Sequence, residues 1–312
     1  MKAVRIHKYG DASVLTYEDV PMPRLVSTHD VLIRVVATSV NPVDWKIREG
    51  YLKQMISYQL PLTLGWDVSG IIEAVGADVA KFQVGDAVYS RPDLNRDGTY
   101  AEYVVIREQE IAHKPKTISH VEAACLPLAG ITAWDALFTA AQLKAGQKIL
   151  IHAGSGGVGS LAVQLAKAHG AYVIATTSEK NRALVASLGA DHVIDYHTQQ
   201  FENLIDNVDV VFDTIGNQVQ EASWSVLKPG GILVSIISPP AQEKAQALGV
   251  RSAFVFIEPN AQILEDIAVQ VDANKLRPII GAEFALHDIA KAHALSQTGR
   301  TVGKIALYVG KP

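Results

Sequence analysis

The stretch KILIHAGSGGVG, Lys148 to Gly159, decides how the rest of the chain is read. Lys148 to Gly154 is an apolar, β-branched run with the pattern of a buried strand, and Val158 to His169 has helical spacing. Between them Gly154, Gly156 and Gly159 form G-x-G-x-x-G, and a second apolar strand, Ala171 to Thr176, ends about twenty residues on. Each glycine has its own reason. Gly154 permits a tight turn, Gly156 and Gly157 let the backbone approach a pyrophosphate, and Gly159 lets the helix sit close to the strand. Exposed N–H groups at the helix start, in the same loop as Ser155 and Val158, then face an anion. With a strand before it and a helix after it, the loop reads as a dinucleotide site rather than a flexible turn.

Outward from this loop the chain has two rhythms. Toward the C-terminus, strands at His192–Tyr196, Val208–Thr214 and Gly231–Ile237 alternate with helices, one at Glu179–Leu188 and one ending at Lys228-Pro229-Gly230. Continuous Val/Ile runs between helices are the pattern of a parallel sheet covered on both faces. Toward the N-terminus the chain is strand-rich, at Val31–Val40, Gly70–Gly76, Gly85–Ser90 and Thr99–Ile106, with turn signals such as Asp97-Gly98 between. That is the pattern of a compact, barrel-like β domain. After about residue 258 a helix, Ala261–Val271, precedes short strands, and the last, Lys304–Val309, returns to the first domain. The expected domains are residues 1–120 with 260–312, and residues 121–259.

Composition sets limits. With 312 residues, two domains are expected. Apolar residues make up 48% and charged residues 19%, which argues against disorder. The formal charge of −4 disfavours nucleic acid as a partner. The single Cys125 excludes an internal disulfide and every zinc site built from several cysteines. The most lipid-like stretch, Ala123–Leu143, contains Pro127, Gly130 and Asp135 and reads as a buried helix rather than a membrane span. The N-terminus has no secretory pattern, so a cytoplasmic protein without a membrane partner is expected.

The end of the second strand chooses the dinucleotide. An NAD enzyme usually carries an acidic residue there for the ribose 2′-OH. Here Thr176-Thr177-Ser178 stand in that place, with Lys180 and Arg182 just beyond. Hydroxyls and cations attract a 2′-phosphate, so NADPH is expected, with Thr177, Ser178, Lys180 and Arg182 near the phosphate. The plain alternative is that Lys180 and Arg182 are solvated helix charges.

With both halves read, the chain resembles the medium-chain dehydrogenase/reductase superfamily. Within it, it is similar to the zinc-independent quinone oxidoreductases, the zeta-crystallin-like branch that includes enone and alkenal reductases. The matching segments are Ala37 to Asp44 (ATSVNPVD), Gly65 to Gly70 (GWDVSG), Asp97 to Tyr103 (DGTYAEY), Leu126-Pro127 through Thr132-Ala133, the glycine loop, and Gly303-Lys304-Ile305. The resemblance implies an α/β protein: a GroES-like β-barrel domain made by both chain ends, plus a Rossmann domain with a doubly wound parallel sheet. Zinc alcohol dehydrogenases of this superfamily carry a cysteine where Asn41 stands and a Gly-His-Glu where Gly65-Trp66-Asp67 stands. Neither Asn41 nor Trp66 is a usual zinc ligand, so no metal is expected. Without that Lewis acid, reduction of an electrophilic quinone or α,β-unsaturated ketone or aldehyde suits the remaining groups better than alcohol oxidation.

The resemblance also implies roles. Asn41 would donate to a substrate carbonyl or order the nicotinamide ribose; otherwise it is a turn residue before Pro42. Lys46 would neutralise a developing enolate oxygen or bind the nicotinamide ribose, and is otherwise a solvated surface lysine; Tyr51 would bond a carbonyl or stack on a ring. Thr132, starting a helix segment after Gly130, would lie near the carboxamide, and Tyr196 near the adenosine phosphate. Ile215 and Ile237, and Lys304 with its neighbour Arg300 in the C-terminal loop, complete the cofactor-binding candidates. Asp44 and Asp67 read as buried structural groups, and Cys125 as a small packed hydrophobe. A homodimer is the family expectation. The alternatives are an NADPH-binding structural or sensing protein with little turnover and, more weakly, an enoyl reductase module.

Overall fold

The computed structural model describes residues 1–309. The chain divides into two compact units. The second comprises Ala129–Ile257 and Lys275–Arg277. Its core is a six-stranded sheet ordered His192–Asp195, Tyr172–Thr177, Lys148–Ile151, Val208–Asp213, Leu227–Ser235, Arg251–Phe254, with every neighbouring pair parallel. Lys148–Ile151, first in the chain, lies inside the sheet, and the chain winds outward from it in both directions, the doubly wound order. Ile149, Leu150, Ile151, Val211, Phe212 and Leu233 are buried, as strands covered on both faces require.

Three local readings change. Lys228-Pro229-Gly230 opens the strand Leu227–Ser235 rather than ending a helix. The helix Asn217–Ser223 runs into a 3-10 turn, Trp224–Val226, and Gly230 takes a left-handed φ of 76° where strand pairing slips between Val208 and Val210. The stretch Glu179–Leu188 starts as a 3-10 turn, Glu179–Asn181, and becomes α-helical only over Arg182–Ser187. The apolar stretch Ala123–Leu143 is broken into the helix Pro127–Trp134 and a π-helical turn, Asp135–Ala140. Among the described residues no helix is long and apolar enough to cross a membrane.

The first unit comprises Met1–Leu128, Glu258–Asn274 and Pro278–Pro312. Its seam therefore lies after Leu128, later than residue 120, because the backbone N–H of Leu128 is bound to the carboxylate of Asp67 at 2.7 Å. Lys275–Arg277 falls to the second unit for a similar reason: both main-chain polar groups of Arg277 bond the Gln164 amide. The first unit is built on the long strand Asp30–Val40. It pairs antiparallel with Val68–Val75, with Tyr103–Arg107 and with Lys304–Tyr308, which in turn runs parallel to Ile280–Ala285. A smaller sheet joins Lys2–Ile6 to Leu15–Asp19 and Leu62–Thr63. Trp66, Tyr100, Leu64, Ile305 and Leu307 pack in one buried cluster, to which the helix Pro42–Arg48 contributes Ile47.

Candidate functional site

In the second unit the dinucleotide loop is held from below by a buried histidine. His152 sits between two hydroxyls, with Nδ1 3.2 Å from Thr176 Oγ1 and Nε2 2.9 Å from Ser223 Oγ. Burial lowers its pKa to about 4, so it is neutral. The Ser223 hydroxyl donates to Val219 O, so His152 Nε2–H donates to Ser223 and Nδ1 accepts from Thr176. Thr176 Oγ1 in turn accepts the N–H of Ala153 at 3.2 Å.

The turn itself is made at Ala153, whose φ is 50°, not at Gly154. Gly154 is needed for space: a Cβ there would stand 2.9 Å from Ala175 Cβ and 3.2 Å from Val185. Gly159 is needed more sharply, since its Cβ would meet Ala153 O at 2.2 Å. Gly156 caps the helix Gly157–Ala168, and its Cβ would lie 3.3 Å from the same oxygen. The loop is thus pressed closely against sheet and helix. The first-turn N–H groups, those of Gly157, Val158 and Gly159 among them, have no intrahelical partner. This cradle fits a pyrophosphate.

The remaining candidates of this unit follow the C-terminal ends of the same strands. Thr177 Oγ1 donates to Ser155 Oγ at 2.8 Å, and Asn181 Nδ2 donates to the same oxygen. Ser178 is buried beside them. Lys180 is exposed and makes no hydrogen bond or ion pair among the described residues. Arg182 is committed: Nε holds Glu179 at 2.7 Å and Nη1 holds Val193 O at 2.6 Å, which leaves Lys180 as the free cation of the pair. Tyr196 lies just past its strand, exposed, with its ring 4.3 Å from that of His197. Ile215 and Ile237 are exposed after their strands, where Asp213 accepts from the N–H groups of Ile215 and Gly216 and from Ser235. Thr132 is buried inside the helix Pro127–Trp134 rather than at its start.

In the first unit a buried polar cluster surrounds Asn41, which precedes the helix Pro42–Arg48. Asp67 is its hub. Asp67 Oδ2 accepts from Ser39 Oγ at 2.5 Å, from Asn41 Nδ2 at 2.7 Å and from Lys304 Nζ at 3.1 Å, while Oδ1 accepts from Leu128 N–H. Lys304 Nζ also donates to Asn41 Oδ1 and, at 3.3 Å, to Val40 O. Lys304 is therefore not a loop cation waiting for a cofactor: it is 5% exposed and paired inside its own unit.

A second chain of bonds runs beside it. Asp44 Oδ2 accepts the backbone N–H of Asn41 at 2.7 Å and the Tyr100 hydroxyl at 2.6 Å. His293 Nε2 lies 3.3 Å from that hydroxyl, and Arg48 Nη1 donates to His293 Nδ1 at 3.0 Å. Arginine can only donate, so His293 is neutral with its proton on Nε2. Burial takes its pKa down to about 3. Burial pushes the Asp44 carboxyl up to about 7, against the bonds from Tyr100 and Asn41, and the nearby Asp67 charge adds to the rise. Lys46, on the same helix, is half-buried; its ammonium lies 5.8 Å over the Trp45 ring, and desolvation lowers its pKa. Tyr51 is 67% exposed, edge-on to Trp45, with its phenol pKa raised by a bond to Glu49.

Comparison with known proteins gives the family. Residues 27–116 match the alcohol dehydrogenase GroES-like domain, and residues 188–307 match the zinc-binding dehydrogenase family. The chain is 37% identical to 2-methylene-furan-3-one reductase of Solanum lycopersicum, over 99% of this chain and 79% of the relative. It is equally identical, with the same coverage, to the chloroplastic NADPH-dependent alkenal/one oxidoreductase of Arabidopsis thaliana. It superposes on the quinone oxidoreductase of Coxiella burnetii with a TM-score of 0.93, at 36% identity over 99% of each chain. This chain belongs to the medium-chain dehydrogenase/reductase superfamily.

Within that superfamily it falls in the zinc-independent quinone oxidoreductase branch. The two positions where zinc members carry ligands hold Asn41, engaged with Asp67 and Lys304, and Trp66, fully buried. Among the described residues no three His, Cys, Asp or Glu side chains come together as a metal-holding group. Sequence reasoning missed His152, Tyr100 and His293. His152 directly precedes the glycine loop and Tyr100 lies in a quoted motif, so both were visible as residues. Their partners were not.

Proposed function

We propose that this protein is an NADPH-dependent reductase that delivers a hydride to a quinone or to an α,β-unsaturated ketone or aldehyde. The observation that carries this reading is the near-full-length likeness to two enone reductases, one of them named for its NADPH dependence. The glycine cradle supports it independently of any name. When bound, NADPH supplies the hydride. The chain's own residues do the rest. Gly154 to Gly159 receive the pyrophosphate, and Ser155 and Thr177 line the approach to the ribose. Lys180 takes the 2′-phosphate, a charge-assisted contact that its freedom from other partners favours. Tyr196, Ile215 and Ile237 supply apolar surface beside the dinucleotide, and Thr132 stands near its carboxamide.

On the acceptor side, Asn41 donates its amide N–H to the oxygen on which negative charge grows. Lys46 adds a positive charge there. Its lowered pKa makes it a readier proton donor than a surface lysine. Tyr51 covers the acceptor ring or chain. With this reading go a cytoplasmic setting, consistent with one buried unpaired cysteine, and a homodimer. The exposed Phe254 and Phe256, on and beside the outermost strand Arg251–Phe254, support the dimer.

The test is NADPH oxidation followed with benzoquinone, with a small enone, and in reverse with NADP and a simple alcohol. Acceptor-dependent oxidation with either of the first two and no alcohol oxidation is expected. Tight NADPH binding with no turnover across the panel would mark a binding protein instead.

A further inference from the structure

We infer that Lys304 is a positioning residue: its buried ammonium fixes which way the Asn41 amide faces, so that Asn41 offers a hydrogen-bond donor. The inference rests on the proposed reductase reading for what the donor does, but not for the orientation itself.

Donor and acceptor types set the orientation of the amide. An ammonium has only donors and a carboxylate only acceptors. Lys304 Nζ contacts Asn41 Oδ1, and Asp67 Oδ2 contacts Asn41 Nδ2 at 2.7 Å. Turning the amide over would set Nδ2 against the ammonium and Oδ1 against the carboxylate, losing both bonds at once. All three residues are nearly or fully buried, so no solvent would compensate. One N–H of Nδ2 is spent on Asp67. The second has no partner among the described residues and is the donor left to offer. Lys304 also draws electron density from the amide oxygen, which makes the remaining N–H more acidic.

The cluster is tied to the fold from several sides. Lys304 opens the strand Lys304–Tyr308, whose next residue, Ile305, pairs with Val40 immediately before Asn41. Asp67 is fixed by Ser39 and by the N–H of Leu128. The backbone N–H of Asn41 is held separately by Asp44. Removing Lys304 therefore frees the Asn41 side chain while Asp44 still holds the Asn41 backbone N–H; the only main-chain bond lost nearby is the longer one to Val40 O, at 3.3 Å.

The experiment uses K304M, K304R and K304M/D67N in the full chain, read in two ways. In protein labelled with 15N-asparagine, the Asn41 side-chain amide is identified by its loss in N41S. It is expected to be sharp and slow to exchange in the native chain, shifted and fast-exchanging in K304M, and largely restored in K304R. In turnover, K304M is expected to lose roughly 10- to 100-fold in kcat, the scale of a misplaced donor, with the Kd for NADPH unchanged. K304M leaves Asp67 buried and unpaired, so it can fail to fold; K304M/D67N removes both charges and covers that case. The double variant is expected to fold and still turn over slowly. Native kcat in K304M/D67N, or a native-like Asn41 amide signal in K304M or in the double variant, overturns the inference. If the native chain reduces no acceptor, the reductase reading fails, and the amide signals still decide the role of Lys304.

Discussion

The glycine loop of the second unit and the Asn41 cluster of the first are built on opposite principles. The loop is a backbone device. Within eight consecutive residues, His152 to Gly159, it sets a left-handed alanine, three positions where a Cβ would crowd a neighbour, and a helix start. The cluster is a side-chain device. Lys304 lies 263 residues from Asn41 and 237 from Asp67, and His293 lies 193 from Tyr100. A backbone device fails when an atom is added. A buried polar device fails when a charge or a partner is taken away.

That contrast can be broken by pH. Asp44 has a folded pKa near 7, above the ordinary 3.8, so the folded state binds more protons than the unfolded state between those values. Its contribution to stability is therefore full below about pH 4 and is lost as pH rises toward 7. His152 and His293 act in the reverse sense, since their depressed pKa values cost stability as pH falls below 6.5. Comparison with D44N isolates the carboxyl, because asparagine mimics the protonated acid. Denaturant titrations are expected to show D44N and the native chain alike near pH 4, and D44N more stable by about 4 kcal/mol at neutral pH. A constant difference across that range would remove the burial argument.

The loop is tested by adding a methyl group. G159A drives a Cβ to 2.2 Å from the Ala153 carbonyl, a backbone atom that cannot step aside. A loss of about 3 kcal/mol by thermal unfolding is expected, together with loss of NADPH binding. Lys180 sharpens the comparison at its exposed edge. K180A is expected to weaken NADPH binding roughly tenfold in a fluorescence titration, with NADH unchanged. R182A should move neither much, because Arg182 is bonded to Glu179 and Val193. The smallest effect expected on stability is that of G146A: Gly146 has φ +80° with nothing within 4 Å of its Cβ, so only left-handed strain is added, a loss of about 1 kcal/mol by thermal unfolding.

The same division governs what the sequence could say. The parallel sheet, the loop and its helix were legible because period, glycine spacing and turn residues are local. The errors inside that region were local too: the turn sits at Ala153, and Lys228-Pro229-Gly230 begins a strand. The Asn41 cluster was legible only as a list of residues. Nothing near Lys304 in the sequence distinguishes an ammonium buried against Asp67 from one at the surface, and Arg182 looked as free as Lys180. Burial and pairing are properties of chains brought together, so they appear only once the strand Lys304–Tyr308 lies beside Asp30–Val40.

That strand pairing has a consequence for the order of assembly during translation. The second unit is nearly one contiguous piece, and all six of its strands have been synthesised by Phe254. The first unit must wait for Lys304–Tyr308, which follows every segment of the second unit in the chain, before its long strand gains that neighbour. Domains tend to fold as units as they leave the ribosome. The inserted half is therefore expected to mature first on the nascent chain, while the acidic hub left behind at Asp67 stays hydrated until the last strand delivers its counter-charge.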